Sequence, residues 1–231
     1  MTVAETVQSQ LGRRFENPAL LEEALSHPSR AQDEPGAPNN QRLEWLGDAV
    51  LGLIISETLH RLHPEWREGD LTRNRAILAR GPVLADLARD LGLDRAMLLG
   101  KTEDHAEGRN RQSSLADTLE AVIGAVFLDG GFPAARDVVL RILGDVDLRL
   151  ARYTRQDNPK GRLQEYLASL TPPLIPDYHV AETTGPAHNR RFKVTLHYGG
   201  KNHTEAWGAS IKQAEEDAAR QALDGFSSTS S

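Results

Sequence analysis

Along the first two-thirds of the chain, apolar residues recur every three or four positions, the period of helices with one buried face. Residues 41–62, QRLEWLGDAVLGLIISETLHRL, are apolar nearly all round, which predicts a buried central helix. Residues 113–131, SSLADTLEAVIGAVFLDGG, predict a second, with Ser113 or Ser114 capping its start and Gly130-Gly131 stopping it. Between them, residues 68–93 predict two helices broken at Gly81-Pro82. The polar, glycine-containing stretch 100–112 predicts a loop, and residues 131–153 predict a closing helix.

The pattern changes near residue 154. TRQDNPKG (154–161) predicts a polar linker running into a short helix, GRLQEYLASL. Residues 172–185, 189–200 and 201–210 then alternate apolar and polar positions between turn residues, which predicts three strands. Residues 211–226 predict an amphipathic helix with a glycine stop. The expected architecture is an all-α domain over 1–152, a linker over 153–157, and a small α+β domain (α-β-β-β-α) over 158–226. Residues 227–231 predict a disordered tail. In the small domain both helices should cover one face of an antiparallel sheet.

Composition narrows the function. With 39% apolar and 26% charged residues the chain reads as a soluble globular protein. It has no cysteine, which excludes disulfide scaffolds, thiolate zinc sites and cysteine nucleophiles. No run reaches the roughly 18 apolar residues of a membrane span, and MTVAETVQSQLGRRF does not read as a secretory signal. These features fit a cytoplasmic protein without a membrane partner. The net charge of −6 superficially argues against nucleic acid. However, residues 1–154 hold 18 Lys+Arg against 24 Asp+Glu, whereas residues 155–231 hold 9 of each. The excess acid is therefore concentrated in the helical part, as a metal-binding site needs and as an ordinary solvated surface also shows.

The two buried helices carry the notable chemistry. Glu44 and Asp48 are spaced i,i+4, and Asp117 and Glu120 i,i+3, so each pair shares one helix face. Buried carboxylates are costly and repel one another unless cations compensate them. Four converging carboxylates can hold a hard divalent cation such as Mg²⁺, and such an ion can activate water and neutralise a phosphodiester. The spacing also fits carboxylates that each cap a helix or pair with an arginine, for example Arg42 or Arg111. Glu57 and His60 match one Glu-x-x-His, but the di-iron bundle motif needs two. His60 and His63 form only a bare i,i+3 pair.

QRLEWLGDAVLG (41–52), ADTLEAVIGAVFLD (116–129), EGDLTRNRA (68–76) and FENPALLEEALSHPS (15–29) together resemble the successive motifs of the ribonuclease III family across residues 11–150. The resemblance implies an all-α nuclease domain that hydrolyses double-stranded RNA. It implies that Glu44, Asp48, Asp117 and Glu120 bind Mg²⁺, with Mn²⁺ as a substitute, and that Asp48 and Glu120 matter most for hydrolysis. It implies a homodimer in which each subunit cuts one strand, leaving 5′-phosphate and 3′-hydroxyl ends with short 3′ overhangs, and substrates that include ribosomal and other structured RNA precursors. Glu68 and Glu103 fall on acidic positions of the wider cleavage valley, or are an ordinary loop acid and helix cap. The family signature opens with Glu where this chain has Gln41, so an outer contact is altered while the four-carboxylate set is complete. Trp45 replaces a phenylalanine and so bears on packing or the dimer contact.

NPKGRLQEYLAS (158–169), GPAHNRRF (185–192) and the last helix resemble a double-stranded RNA-binding domain over 158–225. Duplex RNA offers 2′-hydroxyls in a wide minor groove and phosphates between grooves. The resemblance places Gln164 and Glu165 on first-helix contacts, His188 in the loop that enters the second minor groove, and Lys212 among the phosphate contacts. The phosphate cluster is reduced: Ser210-Ile211-Lys212-Gln213-Ala214 holds one cation where two or three are usual, which predicts weaker and less salt-sensitive duplex binding. Arg190, Arg191 and Lys193 offer further cations, or form an ordinary exposed strand face. The alternative to a nuclease is a duplex-RNA-binding regulator with weakened catalysis.

Overall fold

The computed structural model describes residues 2–105, 108–186 and 190–228, without the side chains of 155–157 and 227–228. The chain divides into two compact units, Met1–Leu150 and Ala151–Ser231. Among the described residues no helix is long and apolar enough to cross a membrane.

The first unit is helical. It runs α1 (Val3–Leu11), α2 (Pro18–Leu25), α3 (Arg30–Asp33), α4 (Gln41–Leu62), α5 (Glu68–Leu78), α6 (Gly81–Asp90), α7 (Leu93–Ala96), α8 (Lys101–His105), a 3₁₀ turn (Gly108–Asn110) and α9 (Gln112–Leu143), and leads into α10 (Val146–Asp157). The two apolar stretches are the centre, as expected: Val50, Leu51, Ile54 and Ile55 of α4 and Leu119, Val122, Ile123 and Val126 of α9 are all buried. α2 and α6 also pack on α9, and α5 packs on α4. Asp129 of α9 ties down the entry to α2: its carboxylate accepts from the backbone N–H of Asn17 at 2.8 Å and of Glu16 at 3.2 Å, and pairs with Arg13 at 2.9 Å.

Several boundaries differ from expectation. The break between α5 and α6 lies at Ala79-Arg80, and Gly81 and Pro82 open α6, because proline in the first turn loses no intrahelical hydrogen bond. The expected loop 100–112 contains α8, whose Lys101 N–H is bound by the Asp33 carboxylate at 2.7 Å. α9 starts at Gln112 after Arg111 rather than at a serine cap, and Ser114 is buried inside it. The glycine stop is a kink: Gly131 takes φ 71°, which glycine tolerates, and the helix resumes beyond it. Residues 153–157, expected as a linker, continue α10 to Asp157, since the buried period Val146, Leu150, Tyr153 carries the helix forward.

The second unit contains α11 (Pro159–Ala168), β1 (Asp177–Thr184), β2 (Arg191–Tyr198), β3 (Lys201–Gly208) and α12 (Ile211–Ser228). Asn158 caps α11 by accepting the Gly161 N–H at 2.9 Å. The sheet is antiparallel in the order β1-β2-β3. Gly199 and Gly200, both at positive φ, make the two-residue turn between β2 and β3. Both helices cover one face of the sheet. Leu163 and Leu167 of α11, Leu196 and Tyr198 of β2, Ala206 of β3 and Ala218, Ala219 and Ala222 of α12 form the core. Gly225 does not stop α12. Phe226 packs against Tyr166, with ring centroids 4.4 Å apart and the rings tilted, and residues 227 and 228 are helical rather than tail. The end of the expected tail, 229–231, lies outside the described residues.

Candidate metal centre

α4 and α9 cross at two glycines. A Cβ on Gly47 would collide with the Glu120 carbonyl, and one on Gly124 with the Leu43 carbonyl. The two backbones therefore touch, and acids one turn from the crossing face each other. Glu44 stands just before Gly47 and Glu120 one turn before Gly124. Ligand oxygens of Glu44, Asp117 and Glu120 all lie within 4.8 Å of one another, and all three side chains are half-buried. Asp48 stands outside this set and is exposed on α4, lining a groove with Leu53, Ser56 and Arg75.

The electrostatics show crowding. Burial, followed by the charges of Asp48, Asp117 and Glu44, pushes Glu120 up to about 8. Burial and then the charges of Asp117 and Asp48 raise Glu44. Burial raises Asp117, opposed by His27. Asp48 is thus coupled to the cluster through its field although it is not among its close oxygens. Among the described residues none of the four carboxylates pairs with an arginine or lysine. Arg111 pairs instead with Glu103 at 2.6 Å. The donor set is all oxygen and acidic, with no lysine or arginine partner among the described residues, which is the chemistry that a hard divalent ion completes.

The outer positions lie elsewhere. Gln41 is exposed at the first turn of α4. Glu68 opens α5, is exposed, and accepts the Thr72 hydroxyl at 2.9 Å, as a helix-start acid does. Glu103 lies on α8 beside Arg111. The lone Glu-x-x-His is not assembled as ligands: Glu57 pairs with Arg136 and Arg61, and His60 is exposed. His63 contacts Asp147 at 2.9 Å and stacks on Trp66.

One neighbour went unassigned from the sequence. His27 follows α2, and its pKa is lowered mainly by burial, while Glu103 and Asp117 act to raise it. Its Nδ1 accepts the Ser29 N–H at 3.2 Å and lies 2.9 Å from the Ser29 hydroxyl, which in turn accepts the Gly100 N–H at 3.0 Å. The only sequence signal for it was its place in the 15–29 segment.

In the small unit, Gln164 and Glu165 are exposed on α11. Lys212 is 84% exposed near the start of α12, 3.8 Å from Glu216. Both helices lie on the same face of the sheet. His188 lies outside the described residues. Arg191 and Lys193 alternate with the core residues of β2, which places them on the opposite face from both helices.

A family model described as ribonuclease-III-like matches residues 17–146, and one for the double-stranded RNA binding motif matches residues 159–225. The chain is 43% identical to ribonuclease 3 of Symbiobacterium thermophilum, over 92% of this chain and 90% of that protein. It is 44% identical to ribonuclease 3 of Oleidesulfovibrio alaskensis, over 95% and 96%. A crystal structure of the ribonuclease III nuclease domain from Campylobacter jejuni aligns at 37% identity with a TM-score of 0.57, covering 60% of this chain and 92% of that one. Another structure of that domain concerns flexibility in a region involved in its dimer formation.

Proposed function

The chain belongs to the ribonuclease III family of endoribonucleases, and on that premise we propose that it hydrolyses both strands of duplex RNA in a Mg²⁺-dependent reaction, leaving 5′-phosphate and 3′-hydroxyl ends with short 3′ overhangs. The observation that carries this reading is the close set of Glu44, Asp117 and Glu120 oxygens at the glycine crossing, with Asp48 coupled to it.

Glu44, Asp48, Asp117 and Glu120 would hold the cation. When bound, Mg²⁺, or Mn²⁺ in its place, supplies charge neutralisation at the phosphodiester and activation of a water. The chain's own residues set the conditions. Before loading, Glu120 holds a proton at neutral pH, because burial and three acidic neighbours disfavour its charge. Releasing that proton is part of assembling the site. Asp48, exposed one turn along α4 from the half-buried Glu44, gives the cluster an open side toward solvent. The tight α4–α9 crossing fixes the carboxylates through the main chain, so they need little reorganisation during reaction.

The small domain would position the duplex through Gln164, Glu165, His188 and Lys212, and the enzyme would act as a homodimer. An exposed apolar stripe on α4 supports the dimer: Trp45 is 78% and Leu53 57% exposed on the helix that carries Glu44 and Asp48. Processing of ribosomal and other structured RNA precursors in the cytoplasm fits this activity. Gln41 favours a second reading, a duplex-binding regulator with weakened catalysis, since an amide brings no negative charge to the valley. A long perfect RNA duplex with Mg²⁺ separates the two. Wild type should cut both strands while Glu120→Gln binds without cutting; binding by both proteins with cutting by neither would make the chain a regulator.

A further inference from the structure

Among the described residues of the small unit, no element packs on the sheet face that turns away from α11 and α12, yet it is not an ordinary polar surface. Trp207 pairs with Lys193 across β2 and β3, and Val194 and Ala206, the next pair along, point into the core. Trp207 therefore stands on the outer face, where it remains 37% exposed. The Arg191 guanidinium lies over its ring, 6.0 Å from the centroid. Two more rings share this face: His179 of β1 and His197 of β2 meet edge to face at 5.0 Å. Between them Thr195 is only 5% exposed, so the side chains around it form a closed platform.

The charges on this platform are already sorted. Glu205 pairs with Lys193, and Asp177 contacts His179 at 2.8 Å. Glu182 sits across from Lys193 in register and acts on its charge. Among the described residues Arg191 has no carboxylate partner, and Arg190 precedes it, exposed. At this corner of the face the cation that no carboxylate holds is thus Arg191, beside the indole of Trp207. An aromatic face beside a guanidinium that no carboxylate holds matches the two needs of an unpaired nucleotide, a surface for the base and a cation for its phosphate. A base-paired duplex shows no base faces to such a platform.

We propose that the outer sheet face of the small domain, centred on Trp207 and Arg191, binds an unpaired RNA strand adjoining a duplex. The proposal rests on the reading of the chain as a duplex-RNA protein. It adds a second surface, on the far side of the sheet from Gln164 and Lys212, for loops, single-stranded flanks or overhangs.

The test uses the full chain in EDTA, so that nothing is cut, with labelled RNA followed by fluorescence anisotropy. One probe is a blunt duplex, and the other is the same duplex with an unpaired extension of about six nucleotides. The extended probe should bind about tenfold tighter than the blunt one. Trp207→Ala should remove that advantage and leave the blunt-duplex affinity unchanged, whereas Trp207→Phe should keep part of it. Trp207→Thr, which suits a strand, guards against a local folding defect. Equal binding of both probes by wild type would overturn the proposal. So would an equal loss on both probes in both the alanine and threonine variants, or a changed sedimentation of Trp207→Ala with no change in RNA affinity, which would make the face a protein contact. Failure to bind the blunt duplex at all would instead overturn the duplex-RNA reading on which the proposal rests.

Discussion

Gly47 and Gly124 lie against each other so closely that a Cβ on either would come within 3.0–3.2 Å of the other's backbone nitrogen. Neither position has room for a side chain, because the obstacle is main chain rather than a flexible neighbour. Gly47→Ala should therefore destabilise the protein by about 3 kcal/mol or more, at the upper end for overpacking, and should abolish cleavage because α4 and α9 must move apart at the carboxylates. Gly69→Ala is the control. It stands in the first turn of α5 with nothing near its Cβ, and should stabilise by about 0.5–1 kcal/mol. Thermal unfolding and a cleavage assay on both variants check the pair.

The elevated Glu120 gives a pH signature. In the folded, cation-free protein Glu120 keeps its proton up to about 8, whereas in the unfolded chain it ionises near its ordinary value. The folded state thus binds more protons between those limits, so stability is lost as pH rises through that window. In EDTA the melting temperature should fall from about pH 5 toward pH 8. Mg²⁺ should restore it most at the alkaline end, and Glu120→Gln should flatten the cation-free profile. Calorimetry across this range, with and without Mg²⁺, checks the sign.

Lys212 is exposed and already faces Glu216 one turn away. Removing the acid should free the lysine for phosphate. Glu216→Gln is expected to tighten duplex binding a few-fold, and Lys212→Ala to weaken it while lowering the slope of log affinity against log salt by about one. Titrations in EDTA at several salt concentrations measure both.

Gln41 sits at the exposed start of α4, a turn before Glu44. Gln41→Glu places a negative charge at a helix N-terminus, which stabilises by about 0.3–1 kcal/mol. Cleavage should change by less than about tenfold, since the four-carboxylate set is complete without it. A rise of several orders of magnitude would show that the amide had disabled the site.

The sequence reading and the structure part company where contact between distant segments decides. The i,i+4 and i,i+3 spacings placed Glu44 with Asp48 and Asp117 with Glu120 on helix faces, and the apolar runs marked both helices as buried. Nothing in either run reveals that Gly47 meets Gly124, because a small residue inside a helix announces a crossing only when its partner is known. For the same reason the exposure of Asp48 was not legible, nor was the approach of His27 to Asp117. Helix ends failed for local reasons: Ser114 had the right chemistry for a cap but lies on the buried side of α9, and Asp33, far away in sequence, supplies the cap of α8. In the small domain the alternation of β2 and β3 was strong enough to give the strands directly, while Gly225 misled because the helix continues past it, with Phe226 packed against Tyr166.

The hold of Asp129 on the backbone of Asn17 spans 112 residues of chain. During synthesis at about 5–20 residues per second, the start of α2 waits on the order of 5–20 seconds for its anchor. Glu44 and Asp48 wait in the same way for α9, which carries their counterparts as well as that anchor. A chain still emerging from the ribosome therefore carries Glu44 and Asp48 without Asp117 and Glu120, and the proposed cation site can form only once α9 has been made.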